Sequence, residues 1–346
     1  MKTVLSWSII SAVASWLIGF PSYRVLRRIQ LFDQPNSRSS HSVATVRGGG
    51  IGFALVVMIL VWASNLNGPH SIWTVWIGLC GILASVSFID DIHGLSWRAR
   101  LSTHFISAAI FVSMVVDKKL CYDWDPISTT IFGCILSVSI AGYINAYNFM
   151  DGINGLAAGQ AVITGIGTVV LTAEAGITNS RDILICISII GGGALGFLPY
   201  NFPRPRMFMG DVGSVFLGFA LMSCAVMIAA RNDWAFLFPL SLLHANFILD
   251  TAITCIRRVR RGEGFYKAHR EHFYQRLVRA GKGHVAVTGI EISLQVVVIA
   301  ALVIYVRTSL LGKCCLAGFI VLLWLAFFAV CEASFRCKAQ IDDKQQ

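Results

Sequence analysis

The chain alternates between long apolar blocks and short polar segments. Eleven apolar blocks fall at about 3–22, 49–66, 71–89, 101–116, 127–147, 157–172, 182–200, 212–230, 234–255, 286–306 and 313–333. Blocks of about this length suit helices crossing a hydrocarbon core of roughly 30 Å. They are continuously apolar rather than alternating, which excludes barrel strands. Lipid offers no partner to free backbone groups, so the blocks must be helical. The pattern predicts an all-α polytopic transmembrane bundle of about eleven spans. One domain covers 1–346, with polar loops at 23–48, 90–100, 148–156, 201–211 and 256–285. The first block runs on past Ala12-Val13-Ala14 and is followed by Arg24, Arg27 and Arg28. That order reads as a retained first helix rather than a cleaved leader. Gly191, Gly192, Gly193 and Gly196 sit inside one block and predict close helix packing.

Composition agrees. The chain is 56% hydrophobic and 13% charged, about half the charged share of a soluble domain. The net charge of +10 needs no nucleic acid to explain it. With the N-terminus outside, 21 of the 28 Lys and Arg residues fall in the inner segments. The positive-inside rule therefore predicts N-out and C-in. The ten cysteines are scattered with no Cys-x-x-Cys pair, which argues against a zinc site or a disulfide framework.

The same orientation puts the chemistry on one face. Asp90-Asp91 ends the third block, and two adjacent carboxylates near a bilayer call for a cation or a shared proton. Asn145, Asn148, Asp151 and Asn154 recur every third residue and predict one polar ridge. Gly152 and Gly155 allow close backbone approach. Asp211 opens the eighth block, where a helix N-terminus favours phosphate oxygens while the carboxylate holds a metal. Hard oxygen ligands suit magnesium, with manganese as an alternative. The 256–285 loop, with Arg257, Arg258, Arg260, Arg261, Lys267, His269, Arg270, His272, Arg276 and Arg279, reads as a diphosphate-binding lid.

In order along the chain these segments read Asp33-x-Pro35-x-x-Arg38-x-x-His41 with Gly49-Gly50, then Asp90-Asp91 with Leu95. Asn145 to Leu156 follows, then Phe208-Met209-Gly210-Asp211-x-Gly213-Ser214. Last comes Arg257-Arg258 through His269-Arg270-Glu271-His272 to Gly281. Together they resemble the polyprenyl-phosphate N-acetylhexosamine-1-phosphate transferases. That family includes enzymes initiating O-antigen and common antigen, and the transferase that makes lipid I. Three positions depart from the family pattern. Asn154 stands where Asp is common, Tyr274 and Gln275 stand where relatives carry histidines, and Val46 replaces a proline.

The resemblance implies a magnesium-dependent transfer at a bacterial inner membrane, with the site facing the cytoplasm. Polyprenyl phosphate attacks the β-phosphorus of a UDP-N-acetylhexosamine and UMP leaves. It implies Asp211 and Asn148 as metal ligands and Asp90 and Asp91 as the catalytic pair at the lipid phosphate. Asn145, Asp151 and Asn154 are implied as nucleotide-sugar or framework contacts, and Arg270 and His272 as diphosphate contacts. Arg38 and His41 belong to the first cytoplasmic motif. A second copy of the chain is a further expected partner. A membrane transporter is the rival of another class, and another lipid phosphotransferase is the rival enzyme. Acidic residues at helix ends rather than mid-membrane weigh against transport. The run Gly48–Gly52 lacks the Lys-Ser/Thr of a nucleotide-binding loop.

Overall fold

The computed structural model of the chain describes residues 2–34, 43–64, 70–116, 125–264 and 269–345. These form a helical bundle with one small two-stranded sheet, and buried residues from Leu26 to Cys331 make one continuous core. A helix stands at each of the eleven apolar blocks, but not each is a full span. Eight helices are long and apolar enough to cross a membrane, nine if one bent pair is a single span. The protein is thus a multi-pass membrane protein, with fewer such spans among the described residues than the eleven expected. Helix α2 (Gly50–Ser64) has 15 residues, about 22 Å at 1.5 Å per residue, shorter than the hydrocarbon core. Helix α4 (Trp97–Val115) begins with Arg98 and Arg100, and its apolar window is too weak.

Helix α8 (Asp211–Arg231) is the axis of the bundle. Its residues Val212 to Ala230 are all buried, as a helix that is apolar on every side must be. Around it pack α2, α3 (His70–His93), α4, α5 (Pro126–Phe149), α6 (Leu156–Glu174) and α7 (Arg181–Asn201). Helix α1 (Lys2–Arg28) lies along α7. A Cβ at Gly192 would stand 2.2 Å from the Ser8 carbonyl oxygen, and one at Gly196 would stand 2.1 Å from that of Ala12. The glycine run therefore serves close helix contact, as its sequence predicts.

The block 234–255 is not one straight helix. A turn at Trp234–Phe236 leads into α9 (Leu237–Leu242), and α10 (Ala245–Arg260) follows after a bend of 78°. A bend inside lipid needs its freed backbone groups met by protein. Gln160 and Gln295 both donate to the Leu243 carbonyl. His244 pairs with the Tyr143 hydroxyl, and Asn246 donates to Gln160. The remaining helices are α11 (Phe273–Arg279), α12 (His284–Arg307) and α13 (Leu310–Gln345).

Candidate active site

Two helix ends and one loop meet to build the polar centre. Asp90 and Asp91 lie in the last turn of α3, and Asp211 opens α8, which packs against α3. The segment before α2 runs beside the segment before α8. Phe208 N donates to the Val46 carbonyl at 2.7 Å, Gly49 N to that of Phe208 at 2.9 Å, and Gly50 N to that of Met209 at 2.8 Å. Strand β2 (Thr45–Val46) pairs with β1 (Phe32–Asp33) on its other side. This pairing delivers Arg47 to the carboxylates. It depends on glycine, because a Cβ at Gly50 would lie 2.4 Å from the Gly213 Cα, with backbone on both sides. Gly50→Ala is expected to force α2 and α8 apart, costing about 1–3 kcal/mol as overpacking does. Thermal unfolding in detergent, compared with Gly78→Ala at an uncrowded helical glycine, measures it.

Arg47 Nε stands 2.8 Å from Asp91 Oδ1, and its Nη2 stands 2.8 Å from Asp211 Oδ1. Arg100 Nη1 reaches Asp90 Oδ2 at 3.0 Å and Asp211 Oδ2 at 3.4 Å. Asp211 is thus shared by both guanidiniums. Burial works against the charge on Arg47, but Asp211, Asp91 and Asp33 reverse this and raise its pKa above the usual arginine value. The sequence alone singles out neither arginine. Their signal is weak: one basic residue beside a glycine run, and one within a helix start.

The three carboxylates are not equivalent. Side-chain exposure is 14% for Asp211, 6% for Asp90 and 0% for Asp91. Asp91 accepts the backbone amides of Asp211 at 3.1 Å and Val212 at 3.2 Å. The N-terminus of α8 therefore holds the chain's own Asp91, which corrects the expectation that it receives phosphate oxygens. The physical preference is the same, an anion on orphan amides, but the anion is internal. Asp90 accepts the Leu95 amide and closes the turn after α3.

The spacing-of-three motif divides in two. Helix α5 ends at Phe149, so Asn145 and Asn148 lie on the helix while Asp151 and Asn154 lie in the following turn. Asn148 joins the carboxylates: its Nδ2 donates to Asp211 Oδ2 at 3.4 Å, and its Oδ1 accepts the Ser214 hydroxyl at 2.7 Å. Asn145 spends its amide on the Ala141 carbonyl one turn back. Asn154 donates to the Pro203 carbonyl at 3.1 Å, which makes it a tie to the 201–207 loop. A single polar ridge is therefore not formed. Asp151 is only partly covered, yet burial and then the Asp211 charge push its carboxyl well up, against the pull of Arg47.

The basic loop is less positive than its sequence predicts. Arg258 and Arg261 pair with Glu263 and Glu271, while Arg257 and Arg276 pair with Glu332 on α13. Burial, then His272 and Arg258, lower the His269 pKa to about 4, so it adds no charge at neutral pH. Arg270 offers its carbonyl to Arg279. His272 is buried against Phe149, the residue that follows Asn148. Tyr274 donates to the Phe149 carbonyl at 2.8 Å, and its hydroxyl is where a Gly152 Cβ would be. Gln275 accepts the His272 amide at 3.4 Å. The loop thus docks on the end of α5. Arg38 and His41 lie outside the described residues.

Two recesses lie elsewhere on the described residues. One, of about 1070 Å³, is lined by Arg27, Thr45, Val46, Asn154, Arg206 and His284 among others. The other, of about 500 Å³, runs between α5 and α10 past Phe132, Leu136, Tyr143 and Ala146, and its walls are mostly apolar.

Residues 72–229 match the family model described as glycosyl transferase family 4. A decaprenyl-phosphate N-acetylglucosaminephosphotransferase of Mycobacterium leprae is 28% identical over 81% of this chain and 77% of its own. The chain is similar to glycosyl transferase family 4 over that matched stretch, residues 72–229. A probable undecaprenyl-phosphate N-acetylglucosaminyl 1-phosphate transferase of Bacillus subtilis is 28% identical over 75% of this chain and 73% of its own. A phospho-N-acetylmuramoyl-pentapeptide-transferase of Chlamydia trachomatis is 28% identical over 66% of this chain and 73% of its own. The stretch matched by the family 4 model holds Asp90, Asp91, Arg100, Asn148, Asp211 and Ser214. Arg47 and the 256–285 loop lie outside that stretch.

Proposed function

We propose that this protein transfers an N-acetylhexosamine-1-phosphate from a UDP-sugar to polyprenyl phosphate, releasing UMP. The observation that carries the reading is the cluster of Asp90, Asp211 and Asn148 with Arg47 and Arg100, carboxylates and guanidiniums gathered at helix ends of a membrane protein. The apolar groove between α5 and α10 suits a lipid tail. The larger recess carries Arg27, Arg206 and His284 and suits the anionic nucleotide. The names of the mycobacterial and Bacillus relatives print a polyprenyl phosphate and an N-acetylglucosamine phosphate group, which supports the same acceptor and transferred group. The bent helix is a feature shared with transporters, but it closes on Gln160, Gln295 and Asn246 rather than lining the carboxylate centre.

Magnesium fits this donor set. Three carboxylates face two guanidiniums, so hard oxygens carry surplus negative charge. Among the described residues no three His, Cys, Asp or Glu side chains form a cage, and magnesium commonly takes one or two carboxylates plus substrate phosphates. Asp211 and Asn148 are the side chains that would hold it, once the Asn148 amide turns the oxygen now on Ser214 toward Asp211. Bound there, magnesium would supply positive charge against the leaving UMP. The remaining work belongs to the chain's own groups. Asp90 takes the acceptor proton, so that a phosphate oxygen of the lipid is free to bond to the β-phosphorus. The bond from that phosphorus to the bridging oxygen breaks, and its electron pair leaves with UMP. Arg47 and Arg100 face the phosphates with charge set in advance. Asp91 holds Arg47 and the start of α8 in place.

The product is the polyprenyl-diphosphate sugar that begins a cell-surface polysaccharide such as O-antigen, made at the cytoplasmic face of the bacterial inner membrane. Purified protein given polyprenyl phosphate, magnesium and a panel of UDP-sugars is expected to release UMP with one or more of them. UMP from none of the panel overturns the reading. The orientation has its own test. Single cysteines at Gly94 and Arg279 are expected to be shielded from an impermeant thiol reagent in intact cells, while one at Asn232 is labelled. Labelling of Gly94 and Asn232 from the same side sinks the N-out topology.

A further inference from the structure

Asp250 lies on α10 with its side chain fully buried. Its Oδ1 stands 2.8 Å from His272 Nδ1, and its Oδ2 accepts the Phe273 amide at 2.9 Å. The Thr254 hydroxyl, one turn on, donates to Oδ1 at 3.2 Å. One carboxylate therefore grips two consecutive residues of the loop, through a ring nitrogen and a backbone amide. It also supplies an anion at the first turn of α11, which a helix N-terminus favours. The faces of the His272 ring pack against Phe149, His269 and Tyr274. With Nδ1 committed and the faces covered, the Nε2 edge is the part of the ring left to meet a ligand.

We propose that Asp250 is a positioning residue for the donor diphosphate, acting through His272. This rests on the reading above that His272 contacts that diphosphate. A carboxylate on Nδ1 fixes the ring's orientation, so that the Nε2 edge is what faces arriving phosphate oxygens. The bend before α10 aims the pair. Asn246, four residues before Asp250, donates to Gln160 Oε1 at 3.1 Å and Glu291 Oε2 at 3.3 Å. The Leu243 carbonyl receives Gln160 and Gln295. The polar groups buried at the bend thus set the direction of the helix that presents Asp250 to the loop. The 78° break turns a span so that its second half carries a carboxylate to the site.

The experiment is direct binding of UDP with magnesium to purified protein. UDP carries the diphosphate common to every UDP-sugar, so the sugar's identity does not enter. The variants are Asp250→Asn, Asp250→Glu, His272→Gln and the Asp250→Asn/His272→Gln pair. Folding is checked by size-exclusion chromatography and thermal unfolding in detergent. His272→Gln is expected to weaken UDP about tenfold, and Asp250→Asn by about as much, the usual scale for losing a partner that orients a ligating histidine. The double variant binds no more weakly than His272→Gln, and Asp250→Glu binds more tightly than Asp250→Asn. KM for polyprenyl phosphate stays unchanged in Asp250→Asn. Equal weakening by Asp250→Asn with and without His272 overturns the inference, since Asp250 then acts independently. Unchanged UDP affinity in His272→Gln overturns the diphosphate reading itself, a result that needs no Asp250 variant. If Asp250→Asn does not fold, Asp250→Glu is compared in both backgrounds under the same criterion.

Discussion

Asp211→Asn is expected to lower turnover by about a thousandfold or more, the scale seen when a group stabilising transition-state charge is removed. The protein should still insert and fold. Asp211 is the most exposed of the three carboxylates at 14%, and it alone is shared by Arg47 and Arg100. The asparagine has the same shape and keeps one oxygen for Arg47. What it loses is the net charge on which the proposed divalent-cation site at Asp211 and Asn148 depends. The measurement has two parts: UMP release at saturating substrates, and manganese binding followed by electron paramagnetic resonance without substrate. Both should fall. Near-normal turnover would remove Asp211 from the proposed metal site. Lost turnover with unchanged manganese binding would leave it catalytic but not a ligand.

Asp90→Asn and Asp91→Asn should fail in different ways, although the residues are neighbours. Asp90 faces Arg100 at the outer side of the centre. Its variant should lose kcat with little change in KM for the UDP-sugar, the mark of an interaction made mainly in the transition state. Asp91 is fully buried and holds Arg47 together with two α8 amides. Its variant should lose kcat and also stability. Breaking a buried pair costs about 3–5 kcal/mol; Arg47 is 32% exposed and can turn to water, so about 1–3 kcal/mol is the better expectation. The readouts are steady-state kinetics and thermal unfolding in detergent. Equal stability of the two variants would remove the scaffold role from Asp91. Loss of UDP-sugar binding by Asp90→Asn, with normal turnover at saturation, would move Asp90 to the other substrate.

The fold was legible because lipid leaves a chain few options. An apolar block in hydrocarbon must be a helix, so the helices fall at the eleven blocks. Their count as spans was not legible, since a block long enough in letters can be short or bent in space. The break at Leu243 and His244 has no proline or glycine to announce it. It exists because Gln160 and Gln295, far apart in sequence, meet one freed carbonyl.

The candidate site was legible where chemistry is local. Paired aspartates, Asn148 and Asp211 stand out because carboxylates and amides at helix ends near a membrane need partners. Arg47, Arg100 and Asp250 did not stand out, and Ser214 appeared only as the end of a motif with no role. An arginine or serine has no meaning until its distance to a partner is known. The basic loop misled for the same reason. Its arginines are counted from sequence, but Glu332, which takes two of them, sits at the far end of the chain on α13.

The sequence by itself determined the class of the protein, the helical segments and the residue types available for phosphate chemistry. These depend on burial and charge, which are properties of each residue. Only the tertiary structure decided which carboxylate is exposed, which caps a helix and which partner each arginine takes. Those outcomes depend on distances between segments remote in the chain, and a hydrogen bond or ion pair falls off within a few ångströms.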